Sequence, residues 1–119
     1  MTERHDAFTR LLAVWNGEAE LDELDSFVSP SYRGHLGSRD RDLAQLKQDI
    51  AAYRTRLPDV RFHLEHQFGE GDHLASRLTA HAPTRPAGAP PTVYGLNISR
   101  WEDHLLVEEW AVWETFSAD

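Results

Sequence analysis

The spacing of apolar residues predicts three helices in the first half of the chain. Apolar side chains recur three and four positions apart, which places them on one face of a helix. The predicted helices cover residues 8–15, 21–28 and 43–57, and a short strand is predicted over residues 32–36. Ser38 or Asp40 is expected to cap the third helix, and Pro58 is expected to end it.

Apolar and polar residues alternate through the second half, which is typical of strands with one buried face. Strands are predicted over residues 60–68, 74–82, 94–100 and 105–116. Turns are predicted at residues 70–72 and 102–104, and the residues 83–91, rich in Pro and Gly, predict a loop. Helices followed by long antiparallel strands favour an α+β fold, in which the helices pack on one face of a curved sheet.

Both faces of the last predicted hairpin are apolar. Under strict alternation one face carries Leu106, Glu108, Trp110, Val112, Glu114 and Phe116. If Arg100 lies opposite Leu106, the neighbouring strand adds to this face Tyr94, Leu96 and Ile98. The other face carries Val93, Trp101, Leu105, Val107, Ala111 and Trp113. Because both faces are apolar, each is expected to be covered. We predict that the first face packs against the helices and lines any pocket. The second, with two tryptophans, would form a homodimer interface through the sheet.

Glu114 is the candidate for chemistry on this hairpin. Its neighbours on the same face would be Val112 and Phe116, with Trp110 one step further along. If the face lines a cavity, burial disfavours the charged form of the carboxyl group. Such a group can hold or move a proton near neutral pH. The alternative interpretation is an edge-strand glutamate whose side chain reaches solvent.

Composition narrows the classes of function. The length of 119 residues is enough for one domain, predicted over residues 1–119. The composition, 40% hydrophobic and 27% charged, is ordinary for a globular protein. No segment approaches the ~20 apolar residues of a membrane span, and the first residues lack the apolar stretch of a signal peptide. We therefore expect a cytoplasmic protein that does not bind membranes. The net charge of −8, with no basic run, argues against nucleic-acid partners.

The pattern gives no support for a metal or a nucleotide cofactor. There is no cysteine, which excludes disulfides and cysteine-ligated metals. Seven histidines are present, but none pairs at a spacing of four on a helix beside a glutamate, as in zinc hydrolases. No Gly-rich loop follows a predicted strand, so a phosphate-binding site is not indicated. We expect neither a metal nor another cofactor.

Several short segments occur in an order that resembles a known family. They are Trp15-Asn16-Gly17, SPSYRGH at 29–35, Pro58-Asp59, GEGD at 69–72, GLNISRWED at 95–103 and VEEWAVWET at 107–115. Their order and spacing are similar to those of the SnoaL-like polyketide cyclase family, within the nuclear transport factor two-like superfamily. The resemblance extends from about Phe8 to Phe116.

The resemblance implies a fold and a chemistry. The fold would be a cone-shaped, curved antiparallel sheet wrapped around three N-terminal helices and enclosing one apolar pocket, commonly in a homodimer. Characterised members close a ring of an aromatic polyketide by intramolecular aldol condensation, without a metal or a cofactor. We therefore predict cofactor-free acid–base chemistry, a cyclisation or an isomerisation, on a small hydrophobic carbonyl compound, aromatic or not. The alternative is a protein of the same fold that only binds a small ligand or dimerises.

The resemblance also assigns residues. A pocket aspartate near the end of the last strand serves the enolisation in the family, and Glu114 stands at that position with one more methylene group. His35 matches a histidine or asparagine often found at the pocket mouth, where it would donate to an oxyanion or orient substrate. A Gly-Thr-His segment common in the family is replaced by Ala82-Pro83-Thr84.

Six more residues are candidates for substrate binding. The aromatic ones would stack on a flat ligand or simply pack in a core, and they are Tyr32, Tyr53, Tyr94 and Trp110. Arg100 and Glu108 would share the face of Glu114, either as part of the site or as an ordinary cross-strand ion pair. Limonene-epoxide hydrolases, which have the same fold, activate water with an acid–arginine–acid relay. The nearest analogue predicted here is Arg100 with Glu108 and Glu114.

Overall fold

The structure is a computed structural model that describes residues 2–116, with side chains from residue 4 onward. Met1 and residues 117–119 of the predicted domain lie outside the described residues. The elements are α1 (Thr2–Trp15), a 3₁₀ helix (Leu21–Ser26), β1 (Val28–Leu36), β2 (Arg39–Arg41), α2 (Leu43–Arg56), β3 (Arg61–Glu70), β4 (His73–His81), β5 (Thr92–Glu102) and β6 (Leu105–Trp113). No helix among the described residues is long and apolar enough to cross a membrane.

Six strands form one curved, unclosed sheet in the order β2-β1-β6-β5-β4-β3. Neighbouring strands are antiparallel except β1 and β6, which are parallel. The α+β class and the curved sheet predicted from the sequence are confirmed. The second predicted helix is a short 3₁₀ helix, and β1 starts earlier than predicted, at Val28. Pro30 lies where the pairing of β1 with β6 is interrupted, because it has no N–H to give to the ladder.

Buried apolar side chains pack the helices against the sheet, and polar side chains fix the helix ends. Asp42 caps α2 in a reciprocal pair with Gln45, so the caps predicted at Ser38 or Asp40 were wrong. Arg54 donates to the carbonyl oxygens of Val14 and Ala19 and so joins α2 to the end of α1. The side chain of Asn16 exchanges two hydrogen bonds with the backbone of β3, at 2.7 and 3.1 Å.

A β-bulge in β6 decides which side chains face the helices. Trp101 pairs with Leu106, but Arg100 pairs with Glu108, so one extra residue of β6 is accommodated there. Strict alternation from Leu106 would place Trp110 inside, whereas the bulge turns Glu109 inward and Trp110 outward. The predicted register, with Arg100 opposite Leu106, is therefore incorrect.

The register error of two residues keeps Tyr94, Leu96 and Ile98 on the face of Trp110, as predicted, but that face is the exposed one. The face predicted as a subunit interface packs against the helices, with Val93, Trp101 and Ala111 buried and Trp113 half-buried. Most of the face predicted to line the pocket is the outer surface of the sheet, whereas Leu106 and Phe116 of that predicted face are buried. The exposed apolar side chains of the outer surface are Tyr94, Leu96, Ile98, Trp110 and Val112, with Phe68 on β3 also exposed.

Small residues on the inner face of β5 make room for the helices and the aromatic rings. Gly95 lies directly against the ring of Trp113, which a Cβ atom at that position would overlap. Asn97 and Ser99 follow on the same face and are also buried. The inner face of β5 is therefore less apolar than its outer face, the opposite of what is usual for a sheet covered on one side.

Candidate functional site

A pocket of about 340 Å³ lies between α1, α2 and the inner face of the sheet. Its apolar wall includes Phe8, Leu11, Trp15, Phe62, Leu78 and Trp113. The polar side chains Arg41, Asp49, Asn97 and Glu109 also line it, and they come from β2, α2, β5 and β6 respectively. An apolar cavity with a few convergent polar groups is the usual form of a small-ligand site.

The carboxyl group of Glu109 is the centre of the polar part of the pocket. The residue is only 3% exposed. Oε2 accepts a short hydrogen bond from the hydroxyl group of Tyr32 and another from Nη2 of Arg41 at 3.2 Å. Oε1 accepts from Nδ2 of Asn97 at 2.9 Å. Three donors from three other strands thus hold the group as an acceptor-only carboxylate.

Local sequence features bring these groups together. The bulge in β6 turns Glu109 inward, as described above. Gly34 on β1 leaves space for the hydroxyl group of Tyr32, because a Cβ atom there would overlap the oxygen. Arg41 ends the three-residue strand β2, directly before the Asp42 cap of α2, and its Nε donates to the same hydroxyl oxygen at 3.1 Å.

Burial and the charge of Glu109 keep its two titratable partners, Tyr32 and Arg41, in their donor forms. Burial raises the pKa of Tyr32 well above its usual value, and the negative charge of Glu109 raises it further. Burial opposes the charge of Arg41, but the charge of Glu109 and the contact with Tyr32 outweigh it and raise the pKa of Arg41. Tyr32 is therefore a neutral phenol and Arg41 a guanidinium throughout the physiological range.

A chain of ion pairs runs from the buried carboxylate to the pocket mouth. Arg41 donates through Nη1 to Oδ2 of Asp49 at 2.9 Å, besides its contact with Glu109. Asp49 is partly exposed, and the same oxygen accepts from Arg39 at 3.1 Å. Arg41 thus lies between two carboxylates, one buried and one at the surface.

Two of the eight predicted site residues belong to this region. Tyr53 lines the pocket, where its ring contacts Trp15 and Phe62. Burial raises the pKa of Tyr53. Tyr32 is buried behind the carboxylate of Glu109, so it positions that carboxylate from within the core.

The other six lie on the outer side of the sheet or at its edge, away from the pocket between helices and sheet. His35, Trp110, Glu108 and Arg100 form one cluster on the outer face. Tyr94 is exposed on the same face, and its backbone N–H donates to Oε1 of Glu114 at 3.0 Å. Glu114 follows the last residue of β6 and is exposed. The predicted catalytic roles of Glu114 and His35 stay predictions.

The sequence interpretation missed Glu109, Arg41, Asn97 and Asp49. For Glu109 a signal is present, because this acid lies among Val107, Ala111 and Trp113 on the face taken as an interface. For Arg41, no local pattern distinguishes a buried arginine from the exposed Arg39 two positions earlier. Arg41 and Asn97 contact Glu109 across 68 and 12 positions of the sequence, respectively. A search for periodic patterns does not detect contacts between separate segments.

Comparisons with known proteins agree with this fold. The family model for SnoaL-like polyketide cyclases matches residues 5–118. The chain belongs to the SnoaL-like polyketide cyclase family, and the predicted resemblance is confirmed. A search of curated proteins finds no match.

Solved structures with low sequence identity share the fold. IdmH of Streptomyces antibioticus, a proposed polyketide cyclase, matches with a TM-score of 0.79 and 23% identity over 93% of this chain and 91% of its own. A proposed polyketide cyclase of Bacillus cereus matches with a TM-score of 0.82 and 19% identity over 95% and 75%. AclR of Streptomyces galilaeus, a proposed hydroxylase, matches with a TM-score of 0.77 and 21% identity over 96% and 80%. Proteins proposed to perform different reactions thus share this architecture.

Arg41 and Arg100 each lie between two acids, but Arg41 is buried and Arg100 is at the surface. This difference in burial predicts different effects on stability. Replacing Arg41 with Met leaves the carboxylate of Glu109 buried without a counter-charge, so we expect the free energy of unfolding to fall by about 3–5 kcal/mol. Replacing Arg100 with Met removes ion pairs to Glu102 and Glu108 that water already screens, so we expect a much smaller fall. Urea denaturation of both variants measures the difference. Equal losses would show that the inner network is no more desolvated than the outer one.

The outer cluster predicts a pH dependence. His35 contacts Asp40 through Nδ1 at 2.9 Å and Glu108 through Nε2 at 2.8 Å. The pKa of His35 is raised most by its hydrogen bond to Asp40 and next by its hydrogen bond to Glu108. Because the pKa of His35 is higher in the folded than in the unfolded state, protonation of His35 stabilises the fold. This stabilisation is complete below the unfolded-state pKa of about 6.5 and is lost as the pH rises through the folded-state pKa.

The corresponding experiment compares the wild type with His35→Gln by urea denaturation from about pH 6 to about pH 9. We expect the wild type to be the more stable at the acid end, with the difference declining as the pH rises. His104→Gln is the control, because His104 is exposed in the last turn and makes no hydrogen bond or ion pair within residues 2–116. A difference for His35→Gln that does not change with pH would contradict the assignment.

Proposed function

We propose that this protein is a cofactor-free acid–base catalyst of the cyclase or isomerase type, acting on a small hydrophobic carbonyl compound in the pocket between the helices and the sheet. Family membership supports the class of reaction. The observation that carries the proposal is the buried carboxylate of Glu109, which lies with Arg41 and Asn97 beside the apolar walls of the pocket. It takes the role that the sequence interpretation gave to Glu114.

Glu109 is the proposed base. Its Oε2 already accepts from Tyr32 and Arg41, whereas Oε1 accepts only from Asn97 among the described residues. A carboxylate oxygen has two lone pairs, so Oε1 retains one for a ligand. A C–H bond next to a carbonyl group, presented at this oxygen, would transfer its proton to Glu109 and leave an enolate.

Arg41 is the proposed stabiliser of that enolate. A guanidinium group has five N–H bonds, and three of them donate to Tyr32, Asp49 and Glu109. The remaining N–H bonds and the positive charge can stabilise an oxyanion. The proton would then return to a different carbon atom in an isomerisation. In an aldol closure the enolate carbon would attack a second carbonyl group, whose oxygen would take the proton back from Glu109.

The apolar walls would set the substrate class. Trp15, Phe62 and Trp113 present ring faces and edges to the pocket, and Trp15 and Trp113 each contact Phe62 edge-on. Tyr53 adds an amphipathic ring whose hydroxyl group can orient a polar substituent. A volume of about 340 Å³ accommodates a bicyclic or tricyclic skeleton and lies in the usual range for ligand pockets.

A pair of variants tests which glutamate is the base. Glu109→Gln keeps the shape and the contact with Asn97 but removes the proposed base, and Glu114→Gln removes the exposed carboxylate after the end of β6 that the sequence predicts as the base. The readout is deuterium exchange at the carbon next to the carbonyl group in a panel of aryl ketones, followed by NMR. We expect Glu109→Gln to slow the exchange about 10²-fold or more and Glu114→Gln to have little effect.

The other outcomes of this experiment are equally informative. Loss of exchange in Glu114→Gln alone would restore the base predicted from the sequence and reject Glu109. Binding of the ketones without any catalysed exchange by the wild type would favour a protein that only binds its ligand. Circular dichroism and thermal unfolding of both variants ensure that a loss of exchange is not a loss of the fold.

A second candidate function is supported by the ion-pair chain Asp49–Arg41–Glu109. Limonene-epoxide hydrolases activate water with an acid–arginine–acid relay, and the predicted analogue around Arg100 lies on the outer face of the sheet. The chain through Arg41 is a relay of the same kind that reaches the pocket. Incubation with an apolar epoxide in ¹⁸O-labelled water distinguishes the two functions, because a hydrolase would place the label in a diol and would not exchange ketone protons.

We also propose that the partner of this chain is a second copy, bound through the outer face of the sheet. Leu96 and Val112, which are 59% and 63% exposed, lie side by side at its centre. The rim carries charges of both signs, with Arg77 and Glu114 at one end. A surface with both signs at its rim can pair with itself about a two-fold axis.

Single substitutions on this face test the proposed homodimer. Leu96→Asp would place a charge in the interface, so we expect dimers to dissociate, as measured by light scattering at micromolar concentrations. Gln48→Asp, at an exposed position of α2, is the control for added charge alone. A monomeric wild type at these concentrations would reject the proposal.

A further inference from the structure

A second pocket of about 560 Å³ adjoins the first and shares Tyr53, Arg56 and Trp113 with it. Its other walls come from the loop of residues 83–91 and from residues 114–116. The two pockets together are longer than a compact ring system requires. The residues that they share therefore indicate where a substituent of a bound molecule would leave the inner pocket.

Arg56 is the charged group at this junction. Its guanidinium group lies 5.6 Å from the centre of the Tyr53 ring, a cation–π contact, and it makes no ion pair with any carboxylate among residues 4–116. The other two arginines of the inner pocket, Arg39 and Arg41, share Asp49 instead. Asp49 and Arg56 are seven positions apart on α2, about 10 Å along the helix, so Asp49 serves one end of the pocket and Arg56 the other.

Arg85 adds a second positive charge to the outer pocket. Its Nε donates to the carbonyl oxygen of Ala89, which folds the loop onto the side chain. Its terminal nitrogens make no hydrogen bond or ion pair within the described part of the chain. The carboxylate on this wall is Glu114, which accepts from the backbone of Tyr94 and forms an ion pair with neither arginine.

The charge at this junction is opposite to that of the whole chain. The chain has a net charge of −8, whereas the outer pocket has two arginines and one glutamate on its walls. A local positive field beside an apolar cavity raises the concentration of anionic ligands there. Guanidinium groups bind carboxylates through paired hydrogen bonds, and Arg56 is free to form them.

We propose that the natural ligand is an elongated organic acid, with its apolar ring system in the inner pocket and its carboxylate on Arg56, assisted by Arg85. This inference rests on the proposed function only in taking the inner pocket as the ligand site. It adds the substrate class: the carbonyl compound carries an acidic tail. The tail fixes the direction in which the skeleton enters and hence the carbon atom that meets Glu109.

Arg56 also has a structural role that must be separated from ligand binding. It is the last residue of α2, where a positive charge stabilises the negative end of the helix dipole. That contribution is the same with any ligand or with none. A difference between a charged and a neutral form of the same ligand therefore reports only the proposed contact.

The experiment is a calorimetric titration with naphthylbutyric acid and with its primary amide. The two probes share the ring and the chain but differ in charge. We expect the acid to bind the wild type about tenfold more tightly, and Arg56→Gln to remove most of this preference while leaving the affinity for the amide unchanged. Arg85→Gln should remove a smaller part, and Arg56→Lys should retain part of it. Added salt should reduce the preference in the wild type.

Arg33→Gln is the matched control, because Arg33 is exposed on β1 and lines neither pocket. Equal affinities for acid and amide, or equal effects of Arg56→Gln and Arg33→Gln, would overturn the inference and leave the proposed function standing. Failure of the wild type to bind either probe would overturn the inference, while proton exchange in the ketone panel would separately decide the fate of Glu109 as a base.

Discussion

A carboxylate buried on the concave side of a sheet is the constraint on which the rest of this structure depends. Glu109 loses its hydration, and this cost is tolerable only if donors replace the water. Tyr32, Arg41 and Asn97 supply them from β1, β2 and β5. Because β1 and β2 are distant in sequence from β6, and β5 is its hairpin partner, all three donors reach the carboxylate only when the sheet order around β6 is complete. Site and fold are therefore specified together.

The same contacts explain the short strand β2. Three residues paired to the end of β1 contribute little sheet, yet they bring Arg41 to the buried carboxylate and lead directly into the capped start of α2. Arg41 then contacts Asp49 two turns into that helix, so one side chain joins strand, helix and the neighbouring β6. Removal of the arginine would disturb the seating of α2 as well as the charge balance of the pocket.

Much of the fold can be predicted from the sequence, because helices and long strands have strong periodic patterns. The stripe from Leu43 to Leu57 and the alternation from Val60 to Phe68 correspond closely to α2 and β3. The choice of face on β5 and β6 could not be predicted in this way. The outer residues of β5 are large and apolar, whereas the inner ones, such as Gly95 and Asn97, are small or polar to accommodate Trp113 and Glu109. One bulge, invisible to a period-two pattern, then exchanges the faces of β6.

The sheet has an arginine between two acids on each of its faces, Arg100 on the outer face and Arg41 on the inner face. Residue type alone therefore could not identify the site. In the single chain, Arg100 with Glu102 and Glu108 is solvated, so its ion pairs contribute little energy and water competes with any ligand. Arg41 with Asp49 and Glu109 has the same chemistry under desolvation, where charges act strongly and a pocket adjoins them. Apolar residues of similar volume would stabilise a core as well as or better than such a network. Stability alone therefore does not account for its position at the end of the pocket, where Oε1 of Glu109 accepts only from Asn97 among the described residues, and the proposed proton transfer rests on this arrangement.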